Sequence, residues 1–170
     1  MLLMVSATFT GLIITKFEHA LAAQVALTAF IPMLMDTGGN SGSQACVSII
    51  RGISLNEIEF RDLGRVVWKE IRVSVLCGVC LAIACFAKII VVDMLLLKSE
   101  SVTYLVAFVV CATMAVTVCL AKIVGSTLPL LAKKLGFDPA VMASPIITTI
   151  VDFLSLLVYF AFATAMLGIG

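Results

Sequence analysis

The sequence predicts an all-α integral membrane protein with five transmembrane helices per subunit, the second of them broken. Hydrophobic residues make up 62% of its 170 residues and charged residues only 12%, which lies far outside the composition of soluble domains. Apolar segments of span length recur along the chain, with short polar stretches between them. The net charge of +1 offers no basic surface to a polyanion, so we expect a lipid membrane around the chain and no nucleic-acid partner.

The first two predicted spans cover residues 1–16 and 20–50. The second contains a polar stretch, where a proline removes a backbone donor and glycines allow positive φ. This pattern predicts a helix broken at depth that faces an aqueous path, because irregular backbone in a bilayer must line a cavity or be buried in protein. A sharp loop between two spans is the alternative. The residues assigned to the break and to the wall of the path are Pro32, Gly38, Gly39, Asn40, Gly42 and Gln44.

A charged stretch, residues 51–72, follows as a connector, and a capping box at residues 54–57 predicts that a helix starts there. The remaining predicted spans cover residues 73–93, 102–128 and 139–168, with Pro139 in the first helical position of the last one. Five crossings put the termini on opposite sides of the membrane. Lys and Arg are concentrated on the side of the connector, so the positive-inside rule predicts a cytosolic connector, a cytosolic N-terminus and an external C-terminus.

The last span carries a carboxylate deep in an apolar segment. Asp152 is the sole charged side chain of residues 141–170, and an acid at that depth costs about 2.5 to 3.5 kcal/mol, so it marks an ion or substrate path by default. Ser144, Thr148 and Asp152 recur every fourth residue and form one polar stripe. Pro145 cannot donate to the carbonyl of residue 141, which predicts a free backbone oxygen near the stripe. The alternative is a stripe that faces a neighbouring helix, with Asp152 protonated or paired with a lysine.

Oxygen ligands without a thiolate or an imidazole suit Mg²⁺ or Ca²⁺ better than zinc or copper. A divalent ion is best neutralised by more than one negative charge, but we predict only one carboxylate per chain deep in the membrane. We therefore expect a two-fold homodimer that brings two copies of Asp152 to its axis. Because Mg²⁺ sheds water reluctantly, it would enter hydrated and be contacted through its waters by Asp152 and by oxygens of Ser144 and Thr148.

Two motifs together resemble the transmembrane domain of the MgtE family of magnesium channels. The first is Pro32…Gly38-Gly39-Asn40-x-Gly42-x-Gln44, and the second is Asp138-Pro139-Ala140…Ser144-Pro145…Thr149…Asp152. The resemblance implies a homodimeric, Mg²⁺-selective pore in a bacterial inner (plasma) membrane, lined mainly by the second and fifth helices. It also implies that Asp152 is the ion site, helped by oxygens one and two turns earlier at Thr148 and Ser144, and that Pro145 and Thr149 support it.

The resemblance further implies regulatory partners. Members of the family place a cytosolic helical domain and a pair of CBS domains before the first span, where they sense Mg²⁺ and close the pore; this chain resembles the pore domain alone. Asp138 would lie at the cytosolic mouth, where it either attracts cations or caps a helix.

Other functions stay open, among them a purely structural membrane subunit. An ion-coupled secondary carrier of divalent cations would be expected to show inverted repeats, and five unlike spans show none. An intramembrane aspartyl hydrolase would need two facing aspartates, for which Asp36 and Asp152 are the candidates, but the usual Gly-x-Gly-Asp setting is missing. We therefore expect a transport protein and not an enzyme.

Overall fold

The computed structural model describes residues 2–142 and 145–168, and this part of the chain is helical and contains no strand. Two short 3₁₀ helices lie at Phe60–Asp62 and Pro139–Met142, and a π-helix at Ile89–Leu96 continues α4 without a turn. The α-helices are α1 Leu2–Lys16, α2 Glu18–Ala23, α3 Ala26–Ser54, α4 Leu63–Lys88, α5 Tyr104–Lys134 and α6 Pro145–Leu167.

The central helix is α5, which packs against α3, α4 and α6, while α1 lies against α6. The largest buried cluster joins α3, α5 and α6 through side chains such as Phe30, Val110 and Phe160. Tyr159 of α6 lies in this cluster, and its hydroxyl donates to the carbonyl of Leu27 at 2.9 Å. The polar tip of the tyrosine is therefore satisfied inside an apolar core.

The predicted break in the second span is wrong, because α3 runs as one continuous helix of 29 residues from Ala26 to Ser54. Its glycines serve helix packing. A Cβ on Gly38 would lie 2.7 Å from Cγ2 of Thr117 on α5, and a Cβ on Gly125 of α5 would collide with the carbonyl oxygen of Gly42. Small residues allow this close approach of two membrane helices. Pro32 costs one backbone hydrogen bond without ending the helix.

Three helical segments in the described part of the chain are long and apolar enough to cross a membrane, namely Phe60–Leu96, Tyr104–Lys134 and Pro145–Leu167. The 15-residue α1 is short for a span. The 29-residue α3 is long enough, but it carries the polar stretch around Asp36 and Asn40. The chain is therefore an all-helical membrane protein.

Two predicted helix boundaries are also wrong. The last long helix begins at Pro145 and not at residue 139, where the short 3₁₀ turn forms instead. The predicted free carbonyl of residue 141 stays a prediction, because residues 143 and 144, which join it to Pro145, lie outside the described part of the chain. The capping interaction before α4 is not at residues 54–57: the backbone N–H of Glu59 donates to Asp62 at 3.0 Å, and the Ser54 hydroxyl donates back to Ile50 at 2.9 Å.

Candidate functional site

An open cleft of about 150 Å³ lies between α3 and α6. It is lined by both long helices and is rich in polar side chains, although the core around it is apolar. Its lining residues are Met35, Asp36, Gly39, Asn40, Thr148 and Asp152. The structure thus brings together Gly39 and Asn40 of the first predicted motif with Thr148 and Asp152 of the predicted polar stripe, two segments far apart in the chain.

The spacing of α6 places Thr148 and Asp152 on the cleft. Four residues separate them, so their side chains lie one above the other on one side of the helix. Asp152 is half-buried, while its neighbour Val151 and the following Ser155 are buried against the other helices. The first turn of α6 is held by side-chain hydrogen bonds, because the hydroxyls of Thr148 and Thr149 donate to the Pro145 carbonyl at 3.2 and 2.7 Å.

The backbone of α3 approaches the acid at Gly39. A Cβ at this position would lie 3.3 Å from Cγ2 of Thr148 and 3.7 Å from Oδ1 of Asp152. Any side chain larger than a methyl group would fill the space in front of the carboxylate. Glycine at this position therefore keeps the cleft open next to Asp152.

Asp36 is a functional candidate that the prediction of the ion site missed. The prediction counted one deep carboxylate per chain, whereas Asp36 and Asp152 line the same cleft from different helices. Asp36 is exposed and Asp152 is half-buried, so Asp36 stands nearer the open side. The signal was present in the sequence, because Asp36 precedes Asn40 by four residues and so shares its side of a continuous helix. A break between residues 36 and 44, as predicted, would have removed this helical relation between Asp36 and Asn40.

The polar surface continues along α3 beyond the cleft. A second open cavity of about 520 Å³ is lined by Asn40, Ser43, Gln44, Val47 and Ser48. Asn40 borders both cavities. The predicted wall residues Asn40 and Gln44 are thus exposed on a shared helix face, and Ser43 and Ser48, which the sequence analysis did not single out, belong to it.

Several predicted site residues lie elsewhere. Gly38 and Gly42 are buried in helix packing, and Pro32 is exposed outside both cavities. Thr149 faces the α1 side, where it lines an apolar cavity of about 430 Å³. Ser144 lies outside the described residues. Asp138 caps the 3₁₀ turn, since its carboxylate accepts the backbone N–H of Ala140 at 2.9 Å.

The charges around the cleft are not neutralised by a lysine. Within the described ranges, the ion pairs closer than 4.0 Å are Arg61–Glu59, Lys88–Asp93 and Lys122–Glu70, and Asp152 is in none of them. The same ranges hold no group of three or more His, Cys, Asp or Glu side chains that could hold a metal ion. Two carboxylates of one chain can attract a cation, but complete coordination would need water or a second subunit.

Comparison with known proteins assigns the chain to a family. The family model of the divalent cation transporter MgtE matches residues 31–162, a range that includes all the residues lining the cleft. The magnesium transporter MgtE of Bacillus subtilis is 36% identical over 166 residues, or 98% of this chain and 35% of that protein. The magnesium transporter MgtE of Thermus thermophilus is 33% identical over the same shares.

The chain spans about a third of the length of these relatives. The family match covers most of the chain and confirms the resemblance drawn from the two polar motifs. The chain therefore belongs to the MgtE family of divalent cation transporters.

Proposed function

We propose that this chain is a pore domain that conducts hydrated Mg²⁺ across a bacterial inner membrane, with Asp152 as its ion site. The observation that carries the proposal is the position of Asp152, which is half-buried in a polar cleft between two long helices of a membrane protein. The similar proteins are named magnesium transporters, which favours Mg²⁺ as the transported ion. That name also favours transport over the aspartyl hydrolase.

The cleft suits an ion that keeps its water. Its volume of about 150 Å³ is well above the roughly 10 to 15 Å³ that one water molecule needs. Mg²⁺ usually keeps several waters and is bound through one or two carboxylates. Asp152 and the more exposed Asp36 supply the negative charge, and the side chains of Thr148 and Asn40 supply oxygens that can contact the water shell.

The functional unit of this proposal is a homodimer. One chain presents half of an open, acidic surface, and a two-fold axis beside it would bring two copies of Asp152 around one path. A single cysteine at Asn40, in a protein whose native cysteines are replaced, should then crosslink between subunits. Persistent absence of the crosslinked dimer in membranes would argue against an axis beside this cleft.

The proposed topology has five spans, with α1 and α3 as the first two. At 1.5 Å per residue, the 29 residues of α3 extend about 43 Å, enough to cross a hydrocarbon core of about 30 Å. Nζ of Lys134, at the end of α5, lies 4.0 Å from the centroid of the Phe60 ring. The basic connector and the basic end of α5 therefore lie at the same end of the helix bundle. The positive-inside rule then favours a cytosolic connector, a cytosolic N-terminus and an external C-terminus.

Regulatory partners are part of the same proposal. The relatives are about three times as long as this chain, which is consistent with additional domains such as the cytosolic helical and CBS domains that the resemblance implies. Those domains would close the pore from the side of the connector when Mg²⁺ is abundant.

The test is Mg²⁺ flux into liposomes that contain an internal Mg²⁺ indicator. Asp152→Asn keeps the shape of the side chain and removes its charge, so we expect flux to fall roughly 10- to 100-fold, the size of a lost contact with a charged group. Glu100→Gln removes a charge from an exposed loop and should leave flux unchanged. If the wild type and Asp152→Asn conduct Mg²⁺ equally well, Asp152 is not part of the ion path.

The ion-coupled carrier makes a different prediction in the same liposomes. A channel carries Mg²⁺ down its own electrochemical gradient, whereas a carrier needs a proton or sodium gradient. Flux that persists when both of those gradients are collapsed supports the channel.

A further inference from the structure

The outer face of α4 is basic at its beginning and apolar along the rest. Its basic side chains recur at intervals of four and three residues, and the apolar ones continue the same row, so all of them lie on one side of the helix. The apolar side chains are 51% to 68% exposed. We call this surface the α4 outer face; it consists of Arg65, Lys69 and Arg72, followed by Leu76, Val79 and Ile83.

The basic part of this face lacks a protein counter-charge in the described residues. Glu59 pairs with Arg61 at 3.1 Å, and Asp62 accepts the backbone N–H of Glu59. Within the described residues, no ion pair closer than 4.0 Å joins Glu57 to the cluster. Glu70 is buried on the opposite side of α4, 3.8 Å from Lys122 of α5. A cluster of exposed, uncompensated cations fits an anionic ligand.

The position of the cluster favours a lipid headgroup over an acidic protein. Trp68 lies on the same side of the helix and is 60% exposed, and tryptophan is enriched at the headgroup level of membranes. Leu76 follows Arg72 by one helical turn, and Phe60–Leu96 is long and apolar enough to cross the membrane. The basic part thus stands where a span meets the bilayer surface, a position typical of sites for anionic lipids.

An apolar groove begins next to the cluster. It has a volume of about 250 Å³, lies between α4 and α5, and is lined by Val75, Gly78, Val79, Ala115, Val116, Cys119 and Leu120. Gly78 forms its floor, because a Cβ there would lie 3.1 Å from the carbonyl oxygen of Ala115. An extended hydrocarbon chain fits such a groove, and burying its methylene groups there adds to binding.

We propose that the α4 outer face binds an anionic phospholipid. Arg65, Lys69 and Arg72 contact the phosphate, Trp68 lies at the level of the headgroup, and one acyl chain occupies the groove over Gly78. This proposal rests on α4 and α5 and is independent of the ion site at Asp152.

The test is native mass spectrometry of the purified protein in a neutral detergent, titrated with dioleoyl phosphatidylglycerol. The variant Arg65→Gln/Lys69→Gln/Arg72→Gln removes three charges from the face. Each basic residue near an anionic membrane surface raises the affinity about fivefold, so we expect the loss of three to lower the affinity for this lipid roughly 100-fold. The single variant Arg72→Gln should lose about fivefold and replaces the triple variant if that one does not fold.

Two controls separate specific binding from general charge. Lys16→Gln/Arg51→Gln/Lys133→Gln removes three exposed charges from other helices and should keep the affinity for phosphatidylglycerol. Dioleoyl phosphatidylcholine, which carries no net charge, should bind weakly to all variants. Val116→Trp fills the groove and should weaken binding of the dioleoyl lipid more than binding of its dihexanoyl analogue.

The proposal is overturned if the triple variant on α4 and the control variant lose the same affinity, or if the neutral lipid binds as tightly as the anionic one. Either result would favour an acidic protein as the ligand of the basic cluster. If Val116→Trp weakens the binding of long- and short-chain lipids equally, the acyl chain does not bind in the groove.

Discussion

The crossing of α3 and α5 at Gly42 and Gly125 makes a strong prediction about stability. In Gly125→Ala, the new Cβ would collide with the backbone carbonyl oxygen of Gly42. A backbone atom cannot rotate away as a flexible side chain can, so the two helices must separate. Overpacking of this kind costs about 1 to 3 kcal/mol, whereas replacing a helical glycine by alanine in open space stabilises by about 0.5 to 1 kcal/mol.

Gly64 of α4 provides the matched control, because it is exposed and a Cβ there meets no atom within 4 Å. Relative to Gly64→Ala, we therefore expect Gly125→Ala to lose about 1 to 3 kcal/mol, because both glycines are helical and gain equally from alanine, so that the difference is the strain of overpacking. The assay is reversible unfolding of the purified protein in mixed micelles, followed by far-ultraviolet circular dichroism. If Gly125→Ala proves as stable as Gly64→Ala, the close crossing is wrong.

Three further variants probe charged side chains on the helices. Lys122→Met leaves Glu70 buried without its partner and should destabilise the protein by about 3 to 5 kcal/mol. The double variant Lys122→Met/Glu70→Met should recover most of that loss in the same unfolding assay. If it recovers nothing, the two side chains, which lie 3.8 Å apart, are not energetically coupled. Asp36→Asn should lower Mg²⁺ flux into liposomes roughly two- to fivefold, less than Asp152→Asn, because the exposed Asp36 attracts cations through water. A larger effect at Asp36 than at Asp152 would reverse the two roles.

The part of the site on α6 could be predicted from the sequence because it depends on one helix. An acid in an apolar segment is costly wherever the neighbouring helices lie, and the four-residue spacing of Thr148 and Asp152 fixes their common side. The part on α3 could not be predicted in the same way. Glycines that follow a proline are compatible with a turn and with a close helix crossing, and only the neighbouring helix decides between them.

The sequence by itself determined that this protein is a helical membrane protein with a carboxylate inside an apolar helix, because hydropathy and helical spacing are properties of single segments. The tertiary structure decided that α3 is continuous, that Asp36 shares the cleft of Asp152, and that Thr149 does not. These facts depend on how α3, α5 and α6 cross. The crossing is set by backbone contacts at Gly42 and Gly125, which lie 83 residues apart in the chain and leave no local pattern that links them.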